Sequence, residues 1–189
     1  MNPLKRIANN YIKWRHSKGY GVHSPFAFHI VENVINPGKY GYYGYSLIDR
    51  AVYGTKDYQS DFSRENARFL LRLAVALRVK KLISTYSNSG LIIAAAKGAG
   101  IDFEKFNPSK ISRYERGSLL VLSPAFNDTE GLKELLSKEI AVYALNPDVK
   151  VRDVLENHIT RGVVFTDINC ILTVPRNEMA YVKYETKLK

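Results

Sequence analysis

A polar turn from Ser84 to Gly90 (STYSNSG) is the stretch whose residue types and spacing favour chemistry most clearly. It follows a short β-branched run, predicted to be a strand from Leu82 to Thr85, and it precedes a helix of small apolar residues predicted over Leu91–Lys97. Strand, turn and helix in this order form the cofactor-binding βα unit of nucleotide-binding α/β domains. The turn therefore predicts a cofactor site, and its candidate residues are Ser84, Tyr86, Ser87, Asn88 and Gly90.

Other residues capable of chemistry do not combine into a second site. The four histidines (His16, His23, His29 and His158) lack the spacing of metal ligands, so no metal site is predicted. Cys170 lies in an apolar run, which indicates a core residue rather than a nucleophile. A Gly-Lys-Ser/Thr phosphate loop is absent from the sequence, which argues against nucleoside triphosphate chemistry.

Length and composition indicate one folded α/β domain with an added extension. The chain has 189 residues, of which 46% are hydrophobic and 12% aromatic. We expect a helical extension and a tyrosine-rich hinge over residues 1–58, followed by a Rossmann-like domain over residues 59–189. One cysteine permits no intramolecular disulfide, and the sequence contains neither a signal-like segment nor an apolar run of membrane-spanning length. A cytoplasmic location is predicted.

The formal net charge of +10 raises the possibility of a nucleic-acid or acidic partner. The positive residues are spread along the chain without a basic run or a recognised nucleic-acid motif. Net charge influences solubility and loose association more than it identifies a partner. A solvated basic surface is therefore favoured over a nucleic-acid site, and the partner stays unknown.

The first segment, Pro3–Arg15, has the pattern of an amphipathic helix. Its apolar stripe comprises Leu4, Ile7, Ala8, Tyr11 and Ile12, and basic residues occupy the other faces. Such a helix could lie on an anionic membrane. We expect instead that the stripe docks on the protein's own domain.

The next segments connect this helix to the domain. Ser24 followed by Pro25 predicts a helix start, with Phe28, Val31 and Ile35 on one buried face. The glycine- and tyrosine-rich stretch 36–58 is predicted to be loop-rich. Its tyrosines suit either a packing hinge or a surface that stacks planar ligands, and the sequence leaves both open.

The remaining pattern alternates helices and strands. Asp61–Leu77 is predicted to be a helix with one apolar side and with Arg64, Arg68 and Arg72 outside. Apolar runs predict five further strands, and Asn127 with Glu130 resembles a capping box. The predicted strands are Ile101–Phe106, Ser118–Leu122, Ile140–Leu145, Val163–Asp167 and Cys170–Val174, followed by a last apolar segment, Met179–Tyr184. The expected fold is a Rossmann-like, doubly wound, mostly parallel sheet with an antiparallel C-terminal edge.

Several segments together resemble a known family. The segments that carry the resemblance are GVHSPFAFHIVENVI (residues 21–35) and RFLLRLAVALRVKKLIST (residues 68–85), and the order of the strands is also similar. The resemblance is to a group of bacterial class I S-adenosylmethionine-dependent methyltransferases. In that group a helical extension containing HSPF precedes a Rossmann-like core. The resemblance implies this fold over nearly the whole chain and S-adenosylmethionine as the cofactor.

The family's functional pattern, however, is altered in this sequence. Its first strand and turn usually read E-L-G-x-x-x-G, where this chain has Ser84 at the acidic place, Tyr86 at the first glycine and Gly90 at the last. The family's later acidic positions correspond to Ser123 and Ala144 here, and only Asp102 and Glu104 are candidates for holding a ribose. A glycine is needed where the backbone must approach a ligand closely.

These changes predict a vestigial cofactor site. The favoured hypothesis is a methyltransferase-like protein that lacks a bound cofactor and catalytic activity, and that acts as a binding or scaffold protein. One alternative is an active, O-methyltransferase-like enzyme that binds S-adenosylmethionine in an atypical pocket. Another alternative is a module that binds nucleic acid or an acidic partner.

Overall fold

The computed structural model describes residues 3–38, 41–54 and 62–188, and within the first helix it describes side chains from Ala8 onward. The helices are α1 (Pro3–Ser17), α2 (Pro25–Ile30), α3 (Tyr45–Gly54), α4 (Arg64–Ala76), α5 (Gly90–Ala99), α6 (Thr129–Ser137) and α7 (Val149–Asn157). A π-helical turn (Val31–Ile35) continues α2, and a 3₁₀ helix spans Pro108–Arg113. The strands are β1 (Lys81–Ser84), β2 (Asp102–Lys105), β3 (Ser118–Leu122), β4 (Ala141–Leu145), β5 (Gly162–Thr166), β6 (Cys170–Pro175) and β7 (Val182–Glu185).

The strands form one seven-stranded sheet in the order β2-β1-β3-β4-β6-β5-β7. Strands β2, β1, β3 and β4 are parallel to one another. Strand β6 runs antiparallel to both β4 and β5, and β7 then pairs with β5 in parallel. The predicted fold class, a mostly parallel Rossmann-like sheet with antiparallel pairing toward its C-terminal edge, is confirmed.

Alternating strand residues face two separate apolar layers. Leu82, Leu119 and Tyr143 face the layer that contains α2 to α5, whereas Ile83 and Leu120 face the layer that contains α6 and α7. Every residue of β3 and β4 is buried, as expected for parallel strands covered on both faces. Helices on both faces make the sheet doubly wound.

Helix α1 docks on the body, but through a different face from the predicted one. Lys13 Nζ lies 3.6 Å from Asp167 Oδ1, and His16 Nδ1 donates to the Glu185 carbonyl at 2.8 Å. In contrast, the stripe residues Tyr11 and Ile12 are exposed. For the described stripe residues, Ala8, Tyr11 and Ile12, the expectation that the stripe docks on the domain was wrong, because long-range polar contacts hold the opposite side of the helix. The side chains of the other two stripe residues, Leu4 and Ile7, lie outside the described part of the chain.

The predicted start of α2 is confirmed, since the Ser24 hydroxyl accepts a hydrogen bond from the Ala27 amide at 3.3 Å. The predicted buried face is only partly correct. Val31 and Ile35 are buried, but Phe28 is exposed and its ring lies over Gly19. The π-helical turn after α2 widens the helical period, which rotates the buried face relative to a regular α-helix.

Within residues 41–54 the predicted loop is instead a helix, α3. Its Asp49 carboxylate accepts hydrogen bonds from Arg64 Nε at 2.8 Å and from Arg68 Nη2 at 2.9 Å. Arg72 Nη1 donates to the Tyr45 hydroxyl at 2.8 Å. The three arginines of α4 are therefore half-buried against α3, which corrects the prediction that they face outward. Tyr40, Tyr58 and the predicted domain boundary at residue 58 lie outside the described residues.

Two glycines bring α5 close to the start of α3. A Cβ on Gly44 would lie 2.6 Å from the Gly98 carbonyl oxygen, so the two backbones touch. Gly98 and Gly100 follow the small apolar residues in sequence and so predict the end of α5, but Gly98 lies inside the helix, where its contact with Gly44 leaves no room for a side chain. Gly100, with a φ of 69°, adopts the left-handed conformation that ends the helix as predicted.

Two further predictions change in detail beyond β2. The polar composition of segment 107–117 predicts irregular chain, but the segment contains the 3₁₀ helix Pro108–Arg113, which Asn107 caps. Helix α6 begins one residue later than the predicted capping box, because Asp128 rather than Asn127 accepts the Gly131 amide at 2.9 Å.

Candidate functional site

The strand order locates the place where a ligand of this fold would bind. Strand β2 lies on one side of β1, while β3 and then β4 lie on the other side, so the strand order reverses between β1 and β3. In open α/β sheets, ligands bind outside the carboxyl ends of the strands at such a reversal. The turn Ser84–Gly90 and the residues after β3 meet at this crevice.

Ser84, which stands at the family's acidic position, is fully buried and is engaged by the turn itself. Its hydroxyl oxygen accepts a hydrogen bond from the Tyr86 amide at 3.1 Å. Its carbonyl oxygen accepts one from the Phe106 amide at 2.8 Å, which extends the pairing of β1 with β2. The polar groups of Ser84 are thus used to hold the chain.

The Tyr86 side chain points into the core. It is 4% exposed, and its ring meets the fully buried Phe62 ring edge to face with centroids 5.3 Å apart. Burial raises the pKa of Tyr143, in the same apolar cluster, well above its usual value of 10, as expected for a dry environment. Tyr86 therefore takes part in the packing of this face of the sheet.

The rest of the turn is arranged by local hydrogen bonds. Ser87, Asn88 and Gly90 are exposed, and Asn88 Oδ1 accepts the Gly90 amide at 3.3 Å. The buried Ser89 hydroxyl donates to the Tyr86 carbonyl at 2.9 Å. A Cβ on Gly90 would meet only Asn88 Oδ1, at 3.7 Å, so the space beside this glycine is open. Gly90 begins α5 without being required by close packing.

A direct bridge between the turns after β1 and β3 was not predicted from the sequence. The Ser123 amide donates a hydrogen bond to Thr85 Oγ1 at 2.7 Å, and the Thr85 hydroxyl donates one to Ser123 Oγ at 3.2 Å. The Thr85 amide also donates to the Val121 carbonyl at 3.1 Å. Both Thr85 and Ser123 follow apolar strand runs, so the parallel arrangement of these strands was the feature that could have indicated their contact.

The remaining candidate positions are also engaged elsewhere. Glu104 Oε2 lies 3.0 Å from Lys81 Nζ, and the hydrogen bond from Lys81 holds the pKa of Glu104 below its usual value. Ala144 is fully buried in β4, while Asp102 is exposed at the start of β2. The structure thus brings Ser123 into contact with Thr85, the neighbour of Ser84, and within the described residues no carboxylate makes a hydrogen bond to Ser84 or Ser123.

A small cleft lies at the opposite, amino edge of the sheet. Its volume is about 130 Å³, and its walls include Leu77, Val79 and Arg116. This volume is well below the roughly 300 to 1,000 Å³ of typical cofactor pockets. Arg116 Nη2 lies 2.8 Å from Glu178 Oε1, so part of the local charge is paired. This edge does not replace the crevice as a cofactor site.

Within residues 3–38, 41–54 and 62–188, no three His, Cys, Asp or Glu side chains come together as a metal site requires. In the same ranges, no helix has the length and apolar character needed to cross a membrane.

Comparison with known proteins does not identify a family. No protein-family model and no curated protein sequence matches this chain. The crystal structure of Thermoplasma acidophilum 1320 is similar over 74% of this chain and 100% of its own, with 14% sequence identity and a TM-score of 0.42. A similarity this low says nothing about activity.

Proposed function

We propose that this chain is a methyltransferase-like binding or scaffold protein that neither holds S-adenosylmethionine nor catalyses methyl transfer. The observation that supports this most strongly is the burial of the Tyr86 ring against Phe62, 5.3 Å between centroids. The residue at the family's first glycine position is thereby part of the core. A turn that contributes an aromatic ring to the core has a structural role that a cofactor-binding turn does not need.

The polar groups at the crevice support the same proposal. Ser84 Oγ accepts the Tyr86 amide, and Thr85 Oγ1 accepts the Ser123 amide at 2.7 Å. These oxygens already hold the native turn, so a ligand that displaced the Tyr86 and Ser123 amides from them would remove hydrogen bonds that stabilise it. Each such bond contributes about 1 kcal/mol to stability.

An active enzyme with an atypical pocket is less well supported. Such an enzyme would bind S-adenosylmethionine through Ser84, Ser87, Asn88 and backbone amides near Gly90. A helix N-terminus and neutral donors favour an anionic group, whereas the sulfonium of this cofactor is positive. Within the described residues no carboxylate makes a hydrogen bond to Ser84, the residue at the position that is acidic in that family.

Isothermal titration calorimetry of the full chain with S-adenosylmethionine and with S-adenosylhomocysteine tests the proposal. We expect no saturable heat with either compound, and no methyl transfer to a library of small phenols and amines. Saturable binding at micromolar concentration would contradict the proposal and favour the enzyme. Circular dichroism of the same sample confirms that the protein titrated is folded.

A further inference from the structure

The side of α1 that faces away from the body is an apolar and aromatic surface. We define this outer face of α1 by its exposed residues, which are Ala8, Asn10, Tyr11, Ile12, Trp14 and Arg15. Tyr11 is 58% exposed and Trp14 is 46% exposed. Just beyond the helix, Tyr20 and Phe28 are also exposed, and the Phe28 ring lies over Gly19. Five large exposed apolar side chains thus lie on α1 and in the segment that follows it.

The orientation of α1 is fixed by its polar side. Lys13, whose side chain is only 14% exposed, pairs with Asp167 of the β5–β6 turn. His16 donates to the Glu185 carbonyl, and its ring meets the Tyr184 ring edge to face at 5.6 Å. Because these contacts occupy the polar side, the helix lies along the body with its apolar side turned outward. An amphipathic helix with this orientation presents a surface for an external partner.

Charge indicates the sign of that partner. The sequence has five Lys or Arg residues before position 32 and no Asp or Glu there, since the first acidic residue is Glu32. Arg15 and Lys18 are exposed at the border of the outer face. A second copy of the chain would bring the same positive charge to this surface and be repelled, whereas an anionic surface is attracted.

The arrangement of the rings distinguishes between anionic partners. The Tyr11 and Trp14 rings stack on each other with centroids 6.0 Å apart, and the Arg15 guanidinium lies 6.0 Å from the Tyr11 ring centroid. The faces of these rings are therefore partly covered, although nucleic-acid bases stack on open ring faces. Ile12, the aliphatic neighbour of these rings, has neither an aromatic ring for stacking nor a polar group for hydrogen bonding to a base. Trp, Tyr and Ile beside Lys and Arg are instead the composition of helices that lie at a lipid interface.

We propose that the outer face of α1 docks on the surface of an anionic lipid bilayer. Trp14, Tyr11 and Ile12 enter the boundary between headgroups and acyl chains, and Arg15 and Lys18 contact lipid phosphates. The helix lies parallel to the bilayer plane, because its polar side is bound to the protein body. This inference does not depend on the state of the crevice, so it and the proposed function can fail separately.

Trp14 is the single tryptophan of the chain, so its fluorescence reports on this surface alone. We expect a blue shift of the emission when the full chain is mixed with vesicles containing phosphatidylglycerol, and co-sedimentation of the protein with them. Vesicles of phosphatidylcholine alone are expected to give a much weaker effect. Raising the salt concentration should weaken binding to the anionic vesicles.

Matched variants distinguish vesicle binding by the outer face of α1 from effects of net charge or of exposed apolar residues elsewhere on the protein. Arg15→Glu removes one positive charge and adds one negative charge, so it is expected to weaken vesicle binding roughly thirtyfold, at about 1 kcal/mol for each unit of charge near an anionic bilayer. Lys150→Glu makes the same change in charge at an exposed site on α7 and is expected to have little effect. Ile12→Ser should weaken binding, whereas Val149→Ser, also at an exposed apolar residue, should not.

Three outcomes would overturn this inference. The first is an unchanged Trp14 emission and no co-sedimentation with anionic vesicles. The second is equal weakening by Arg15→Glu and Lys150→Glu, because binding would then follow net charge rather than the outer face. The third is a vesicle-independent blue shift that accompanies dimer formation in sedimentation equilibrium, because the outer face would then be a contact between two copies.

Discussion

Tyr86 is the residue at which packing and ligand binding conflict most directly. Its ring contributes to the apolar cluster that α4 and α5 form against the sheet. Ser84 and Thr85, which directly precede Tyr86 in the same turn, hold the backbone there by accepting hydrogen bonds from the Tyr86 and Ser123 amides. At this scale the turn after β1 consists of residues that stabilise the fold.

Tyr86→Ala tests the structural role of this side chain. We expect the free energy of unfolding to fall by about 3 to 5 kcal/mol, the range measured for large aromatic residues removed from cores. Tyr43→Ala is the matched control, because Tyr43 is 94% exposed and its removal should cost under about 0.5 kcal/mol. Denaturant titration measures both values. Equal, small losses would mean that the Tyr86 ring is not part of the core.

The contact between α3 and α4 relies on an ion pair that the sequence did not reveal. The Asp49 carboxylate accepts hydrogen bonds from Arg64 and Arg68, and the bond from Arg64 is the main reason that the pKa of Asp49 lies below its usual 3.8. A carboxylate whose pKa is lower in the folded state stabilises the protein above its unfolded-state pKa. That stabilisation is lost as the pH falls through the folded-state value.

Asp49→Asn should therefore reduce stability at neutral pH by on the order of 1 kcal/mol, because the pair is partly exposed to solvent. The difference from the wild-type protein is expected to shrink as the pH falls below about 4. Thermal unfolding followed by circular dichroism across this range measures the effect. Glu32→Gln, at an exposed carboxylate, is the control and should leave stability at neutral pH nearly unchanged. A difference in stability between Asp49→Asn and the wild-type protein that stays constant across this pH range would contradict the lowered pKa of Asp49 as its cause.

The packing of α5 on the start of α3 depends on small residues. A Cβ on Gly98 would lie 2.7 Å from Leu71 Cδ1 and 3.0 Å from both the Cα and the carbonyl oxygen of Gly44. Gly98→Ala should therefore destabilise the protein by about 1 to 3 kcal/mol, which is typical of overpacking.

Gly90→Ala is the matched change at the other end of the same helix. The added methyl group would meet only Asn88 Oδ1 at 3.7 Å, so stability should be unchanged or rise by up to about 1 kcal/mol. Denaturant titration of both variants measures the contrast. A larger loss for Gly90→Ala than for Gly98→Ala would show that the turn has a backbone requirement absent from this account.

For the whole molecule, the sheet and its layers were predictable because buried parallel strands form continuous apolar runs. SLLVL and IAVYAL gave β3 and β4 to within one residue. The orientation of α1 was not predictable, since its determinants, Lys13 and Asp167, are far apart in sequence. The partial burial of Arg68 and Arg72 was not predictable either, because both side chains pack on α3, a segment whose sequence indicated a loop.

At the candidate site, the sequence indicated where the turn lies but not which contacts its side chains make. The residue types at Ser84 and Tyr86 predicted that the cofactor site is altered, but they did not predict that the Tyr86 ring packs in the core. The Tyr86 contact with Phe62 and the Thr85 contact with Ser123 join segments that are separate in the chain. Only the folded arrangement reveals that these residues already have partners.

The central claim, that the crevice between β1 and β3 does not accept S-adenosylmethionine, is tested most directly residue by residue. Two-dimensional amide NMR of the isotopically labelled full chain, recorded during titration with S-adenosylmethionine, observes the Tyr86, Gly90 and Ser123 amides individually. We predict that these signals stay unshifted to millimolar cofactor. Saturable shifts confined to these amides and their neighbours would contradict the claim, because they would place the cofactor in the crevice.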